Sequence, residues 1–175
     1  MTAKSEGAQR TAQRAVARST AGAAAGTAAG AGSAARAGAG AGSMLERDRA
    51  TEALGMTVHT AEPGHAVVSM TIRDDMLNGF DIAHGGMIFS LADTAFAIAC
   101  NEDDRVTVAA GADITFLASA TLGQVLTASA HRRALAGRSG IYDVTITDEG
   151  GTPIAEFRGR SRITNRTVPK STVPA

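Results

Sequence analysis

The chain has 175 residues with 17 basic and 17 acidic side chains, giving a formal net charge of zero, and one cysteine, Cys100. That length allows one compact domain with a sizeable core. Charge balance gives no reason to expect nucleic-acid binding. A single cysteine excludes an intramolecular disulfide and fits a reducing, cytoplasmic setting, and without an apolar run of about 18 residues no membrane span is expected.

Residues 1–43 carry Lys4, Arg10, Arg14, Arg18 and Arg36 against the single acid Glu6, among Ala, Gly, Ser and Thr. Such a composition has almost nothing large to bury and cannot recover the entropy cost of ordering. We therefore expect a disordered basic leader over 1–43, a folded domain over 44–165 and a flexible tail over 166–175. "MLERDRATEALGM" spaces Leu45, Ala50, Ala53 and Leu54 as a helix does, with Gly55 as its stop. "MTVHTAEPGHAVVSMTIR" predicts two strands joined at Glu62-Pro63-Gly64, with Ala66, Val68, Met70 and Ile72 on one face of the second.

After the turn-rich "DDMLNGFDIAHGG" comes an apolar helix ending near Asn101, with Asp93 as the one charged residue at its centre. Burying an ionised carboxylate without partners costs several kcal/mol, and a raised pKa is the usual escape. Gly86, Ser90, Asp93 and Ala97 share one small and polar stripe of this helix. Its first turn follows His84-Gly85-Gly86, where backbone N–H groups lack intrahelical partners and glycine lets a ligand approach. Such donors, with the positive end of the helix dipole, suit a carbonyl oxygen that gains negative charge. Simpler readings stand beside these: a tight loop-to-helix turn at Gly-Gly, an Asp93 that bonds Ser90 or Thr94, and an ordinary turn at Asn78-Gly79. Gly86 and Asp93 stand roughly 10 Å apart along the helix axis, so one copy cannot bring its own pair together.

Four strands follow: "RVTVAAGADITFL", "GQVLTASAHRRAL", "IYDVTITD" and "TPIAEFRGRSRIT". Ile114 and Phe116 alternate with Asp113 and Thr115, and Phe157 and Ile163 lie opposite Arg158, Arg160 and Arg162. The element order is α+β, one mostly antiparallel sheet with a single long helix to cover. Four histidines, at 59, 65, 84 and 131, show no metal-ligand spacing, so no metal and no cofactor are expected.

"MLNGFDIAHGGMIFSLADTAFAIACN" resembles the signature of the phenylacetate-degradation (PaaI-type) thioesterases, a branch of the hotdog-fold acyl-CoA thioesterases. The likeness continues through "ITFL" at 114–117, "GIYDVTITD" at 140–148 and "FRGRSRI" at 157–163. It implies a hotdog fold, a sheet wrapped around the long helix, and a homo-oligomer (a dimer, or a homotetramer built as a dimer of dimers) with sites between subunits. Gly86 of one copy would then work with Asp93 of another. The resemblance makes Asp93 the nucleophile or the general base, the Gly86 N–H the group that polarises the thioester carbonyl, Asn78 a support for carbonyl or water, and His84 a shaper of the loop. Substrate contacts are expected from Gly85, Ser90 and Thr94 on the helix. Arg138, Ser139, Arg158 and Arg160 are further candidates, since arginine suits CoA phosphates, although a solvated strand face explains alternating arginines as well. The implied substrate is phenylacetyl-CoA or a hydroxylated relative, with coenzyme A part of the substrate. Relatives of this kind place a Ser or Thr on the strand after the helix, whereas this chain has Ala109-Ala110-Gly111 there. The other readings are a hotdog enoyl-CoA hydratase, disfavoured by the absence of a histidine on the helix stripe, and a non-catalytic acyl-CoA-binding or regulatory hotdog domain, disfavoured by the presence of Asp93.

Overall fold

The computed structural model describes residues 38–168. Two short helices open it, α1 (Ala39–Leu45) and α2 (Arg49–Ala53). They are followed by β1 (Thr57–Glu62), β2 (His65–Thr71), a 3-10 turn at Asp74–Met76, and the long helix α3 (Gly85–Cys100). Strands β3 (Arg105–Phe116), β4 (Val125–Ala136), β5 (Ser139–Thr147) and β6 (Pro153–Thr167) complete one antiparallel six-stranded sheet in the order β1-β2-β4-β5-β6-β3.

Alternation sets the inner face. Ala66, Val68 and Met70 of β2, Leu126, Ala128 and Ala130 of β4, and Tyr142, Val144 and Ile146 of β5 are buried against α3. The helix answers with Ile88, Leu91, Ala92, Ala95, Phe96, Ile98 and Ala99. Phe96 lies over β6 where a Cβ on Gly159 would come within 2.6 Å of its ring. It meets Tyr142 edge-on at 5.5 Å, while Phe89 meets Phe157 edge-on at 5.4 Å. The outer face is polar. Cross-strand partners His65, His131, Asp143, Arg158 and Asp113 form one row across β2, β4, β5, β6 and β3. No described helix is long and apolar enough to cross a membrane.

Three expectations need correction. The folded part begins before residue 44: α1 starts at Ala39, Ala41 is buried, and its N–H donates to the Asn101 carbonyl at 3.0 Å. Small residues that cannot fill a core can still let two backbones meet, and a Cβ on Gly40 would sit 2.5 Å from the Asp103 carbonyl oxygen. At the other end, β6 runs to Thr167 paired with Arg105, and the Val168 N–H donates to the Asp104 carbonyl, so the first residues of the expected tail belong to the sheet. The remainder of the leader and the tail, 1–37 and 169–175, lies outside the described residues. The single helix expected from Met44 is two, because Asp48 interrupts it and caps α2, accepting from the N–H groups of Ala50 and Thr51 at 3.1 Å.

Candidate active site

The loop before α3 is drawn closed at its base. Leu77 bridges Ala83, the Asn78 N–H donates to the Ile82 carbonyl, and the His84 N–H donates to the Met76 carbonyl at 2.8 Å. The Asn78 side-chain oxygen accepts the Phe80 N–H at 2.8 Å. Asn78 and His84, six positions apart in sequence, are thereby brought to the same end of α3.

His84 is the N-cap of that helix. Its Nδ1 accepts the Gly86 N–H at 3.0 Å, which makes Nδ1 the bare nitrogen and leaves the proton of the neutral ring on Nε2. The N–H expected to polarise a carbonyl is therefore already engaged. Among the described residues the Gly85 N–H, one position earlier, makes no hydrogen bond, so the open donor of this helix end is Gly85.

Along α3 the face turned from the sheet carries the stripe read from the sequence. Gly86 is exposed, and Ser90, Asp93, Thr94 and Ala97 are half-buried. The helix is thus not buried all round, and Asp93 sits at the rim of the core rather than within it. Its carboxylate makes no hydrogen bond among the described residues. Burial pushes its pKa above the ordinary carboxylate value, and the Asp48 carboxylate adds to that rise. Sequence reading passed over Asp48. Its signal was an acidic residue directly ahead of a short helix-forming run, "RATEA". Ser90 spends its hydroxyl proton on the Gly86 carbonyl at 2.8 Å. Cys100 is a buried thiol whose pKa is pushed up to about 12 by burial and by Asp93, so it is no nucleophile.

The strand residues lie elsewhere. Arg158 grips Asp143 with Nε at 2.6 Å and Nη2 at 3.0 Å, and Arg160 bonds Asp113 at 2.6 Å, all on the outer face. Arg138 donates to the Ile163 carbonyl at 2.9 Å, and Ser139 accepts from Arg162 at 3.0 Å. Within one chain the structure brings together Asn78, His84, Gly85 and Gly86. Asp93 and Thr94 stand about 12 Å further along α3, Arg158 and Arg160 are on the far side of the sheet, already paired, and Arg138 lies in the turn between β4 and β5. Where a hydroxyl was sought on β3, the register shifts between Ala109 and Gly111, leaving Ala110 as an extra, exposed residue in a bulge. No cluster suited to a metal ion occurs among the described residues.

Comparison with known proteins bears on this arrangement. The family model described as the thioesterase superfamily matches residues 80–155. Acyl-coenzyme A thioesterase PaaI of Escherichia coli (strain K12) is 43% identical over 119 residues, covering 68% of this chain and 85% of that protein. The solved structure of the E. coli PaaI protein from the phenylacetic acid degradation operon superposes with a TM-score of 0.72 at 41% identity, covering 74% of this chain and 94% of that one. A Streptococcus mutans protein solved bound to acetyl CoA matches with a TM-score of 0.61 at 25% identity, covering 64% of this chain and 90% of that one.

Proposed function

The chain belongs to the thioesterase superfamily, and from that premise we propose that it hydrolyses arylacetyl-CoA thioesters, phenylacetyl-CoA or a hydroxylated relative, to the free acid and CoA. It is a hotdog-fold thioester hydrolase of the PaaI type. The observation that carries the proposed mechanism is Asp93, a half-buried carboxylate with a raised pKa and no hydrogen-bond partner among the described residues, on a helix whose first residue, Gly85, keeps an unpaired N–H.

In this reading the thioester carbonyl oxygen accepts the Gly85 N–H at the positive end of α3. The Asp93 carboxylate removes a proton from water, whose oxygen attacks the carbonyl carbon. Collapse of the tetrahedral intermediate breaks the C–S bond, and the CoA thiolate takes the proton that Asp93 had accepted, which restores the carboxylate. His84 holds Gly86 and thereby the turn that presents Gly85, and Asn78 steadies the bound carbonyl or the water. A raised pKa strengthens the Asp93 carboxylate as a base and as a nucleophile alike, so direct attack on the carbonyl carbon is the second route open to the same residue.

A separation of about 12 Å between Gly85 and Asp93 requires that each site use two copies. The long edge strand β3 supplies a contact for this. It spans 12 residues, contains no proline or lysine, and leaves Val108, Ala109 and Ala110 exposed. An edge of that kind is a template for pairing, here with the same strand of a second copy. The test is thiol release from a panel of acyl-CoAs by the wild type and by Asp93→Asn. The variant is expected to keep its fold and oligomeric state and to lose at least ~10³-fold in kcat. Comparable turnover by the variant rejects the role of Asp93, and no turnover by the wild type on any thioester rejects the function.

A further inference from the structure

The inner face of β3 ends in an aromatic ring that the mechanism above leaves unused. Phe116 follows Ile114 on that face, and its neighbour across the ladder is the buried Ala155 of β6. Its ring tip presses on the first residue of α3. A Cβ on Gly85 would lie 2.9 Å from Cζ and 3.3–3.4 Å from the two Cε atoms. Glycine at 85 is what allows this contact. Only one edge of the ring is used by it, since Phe116 remains 49% exposed. The chain holds five phenylalanines, and Phe89, Phe96 and Phe157 pack with one another or with Tyr142. Phe116 has no aromatic partner among the described residues. Its neighbour Leu117 is 56% exposed, so the apolar surface continues past it.

Resting on the reading of Gly85 as the carbonyl donor, we propose that Phe116 is the acyl-specificity residue and that its open face receives the aromatic ring of an arylacetyl group. A carbonyl oxygen bonded to the Gly85 N–H directs what lies beyond the first acyl carbon toward the ring that covers Gly85. In an arylacetyl thioester a single methylene joins that carbonyl to a second flat ring, within reach of an offset or edge-on contact. A short acyl group such as acetyl ends before it gains that surface. Selectivity between the two comes from apolar contact at Phe116, while the donor N–H and Asp93 treat both alike. Methylene-sized differences in an apolar contact are worth 10- to about 200-fold in kcat/KM, which sets the scale expected of one ring.

The experiment compares kcat/KM for phenylacetyl-CoA and acetyl-CoA in the wild type, Phe116→Leu and Phe116→Ala, with melting temperature and oligomeric state recorded for each. The expected result for Phe116→Ala is a fall of about tenfold or more on phenylacetyl-CoA, mainly in KM, with acetyl-CoA changed by less than about twofold. Phe116→Leu, which keeps an apolar side chain of similar size, is expected to lie between. An unchanged ratio of the two substrates overturns the proposal, and so does a parallel loss on both, with or without a change of oligomeric state. If the wild type hydrolyses neither thioester nor any other, the proposed function fails first and takes this assignment with it. A measurement on the unmodified protein stands apart from folding of the variants. The Phe116 ring resonances are expected to shift with the non-hydrolysable ketone S-(2-oxo-3-phenylpropyl)-CoA and not with S-acetonyl-CoA, both of which keep a carbonyl for the Gly85 N–H, and the absence of that difference also overturns the proposal.

Discussion

The role proposed for Asp93 ties chemistry to stability at a single residue. Burial, then the nearby Asp48 carboxylate, disfavours its charged form, so its pKa in the folded protein lies above the value of about 3.9 that it has in an unfolded chain. Two consequences follow with opposite signs. In the proposed mechanism catalysis uses the ionised form, so kcat/KM is expected to fall as pH drops through the raised pKa, earlier than for an ordinary carboxylate. Folding favours the protonated form, so the stability it contributes is present below the unfolded pKa and is lost as pH rises through the folded one. Asp93→Asn is therefore expected to melt above the wild type at neutral pH, and the advantage should vanish in the acid range. Asp48→Asn separates the two acids, because Asn still accepts the N–H groups of Ala50 and Thr51 and keeps the cap. It is expected to move the acid limb of the pH–rate profile downward by a few tenths of a pH unit, roughly the effect of one partly screened charge. An unmoved limb removes Asp48 from the site's electrostatics. None of this was readable at position 48, where the sequence shows an acid in a helix-like run. The cap that brings it close to Asp93 depends on how α1 and α2 fold back.

At the scale of elements, period alone was legible. Alternation over Ala66, Val68 and Met70 marks the inner face of β2 and continues to Ile72 just past its end, and all four are buried. The apolar helix ends, as its pattern suggests, at Asn101, whose side chain closes the C-terminus on the Ala97 carbonyl at 2.9 Å. Contacts made by backbone rather than side chains were not legible, and α1, held by its glycines and an N–H, is the clearest case. Nor does periodicity reveal that the Gly86 N–H is spent on His84, since that is a matter of one ring's rotamer. Position 110 was partly legible. The missing hydroxyl is plain in "VAAGAD", but the bulge that singles out Ala110 comes from a change of register against β6. If that bulge faces the water at the site, Ala110→Ser is expected to raise kcat by up to about tenfold, the worth of one added hydrogen bond of ~1.4 kcal/mol. Steady-state kinetics on the preferred thioester, with KM unchanged, checks it.

For the whole molecule the question is how many chains make a site. If the Gly85 end of one copy serves Asp93 of another, two dead variants should rescue each other. Asp93→Asn and Gly85→Val, each inactive alone, form mixed dimers in which one of the two sites has both wild-type parts. Refolded together in equal amounts, they are expected to recover about a quarter of wild-type activity, because half of randomly paired dimers are mixed. Recovery near zero, with mixed dimers demonstrated by mass, places both groups of a site in one chain. The outer face sets a boundary on further assembly. Its row of paired charges, with Arg158 on Asp143 and Arg160 on Asp113, offers a solvated surface rather than an apolar one.

The contact between Phe96 and Gly159 joins the helix that carries Asp93 to the strand beneath it through the absence of a side chain, and it couples the two positions. A methyl added at Gly159 would enter the Phe96 ring at 2.6–2.8 Å, so Gly159→Ala is expected to cost about 1–3 kcal/mol and to shift α3 with its site. Shrinking the ring as well, in Phe96→Leu with Gly159→Ala, should return part of that loss, and a double-mutant cycle by chemical denaturation measures the coupling. Lineages descending from this sequence are then free to drift across the outer face one residue at a time. Beneath α3 the order of change matters, because a side chain at 159 fits only after the ring at 96 has been reduced.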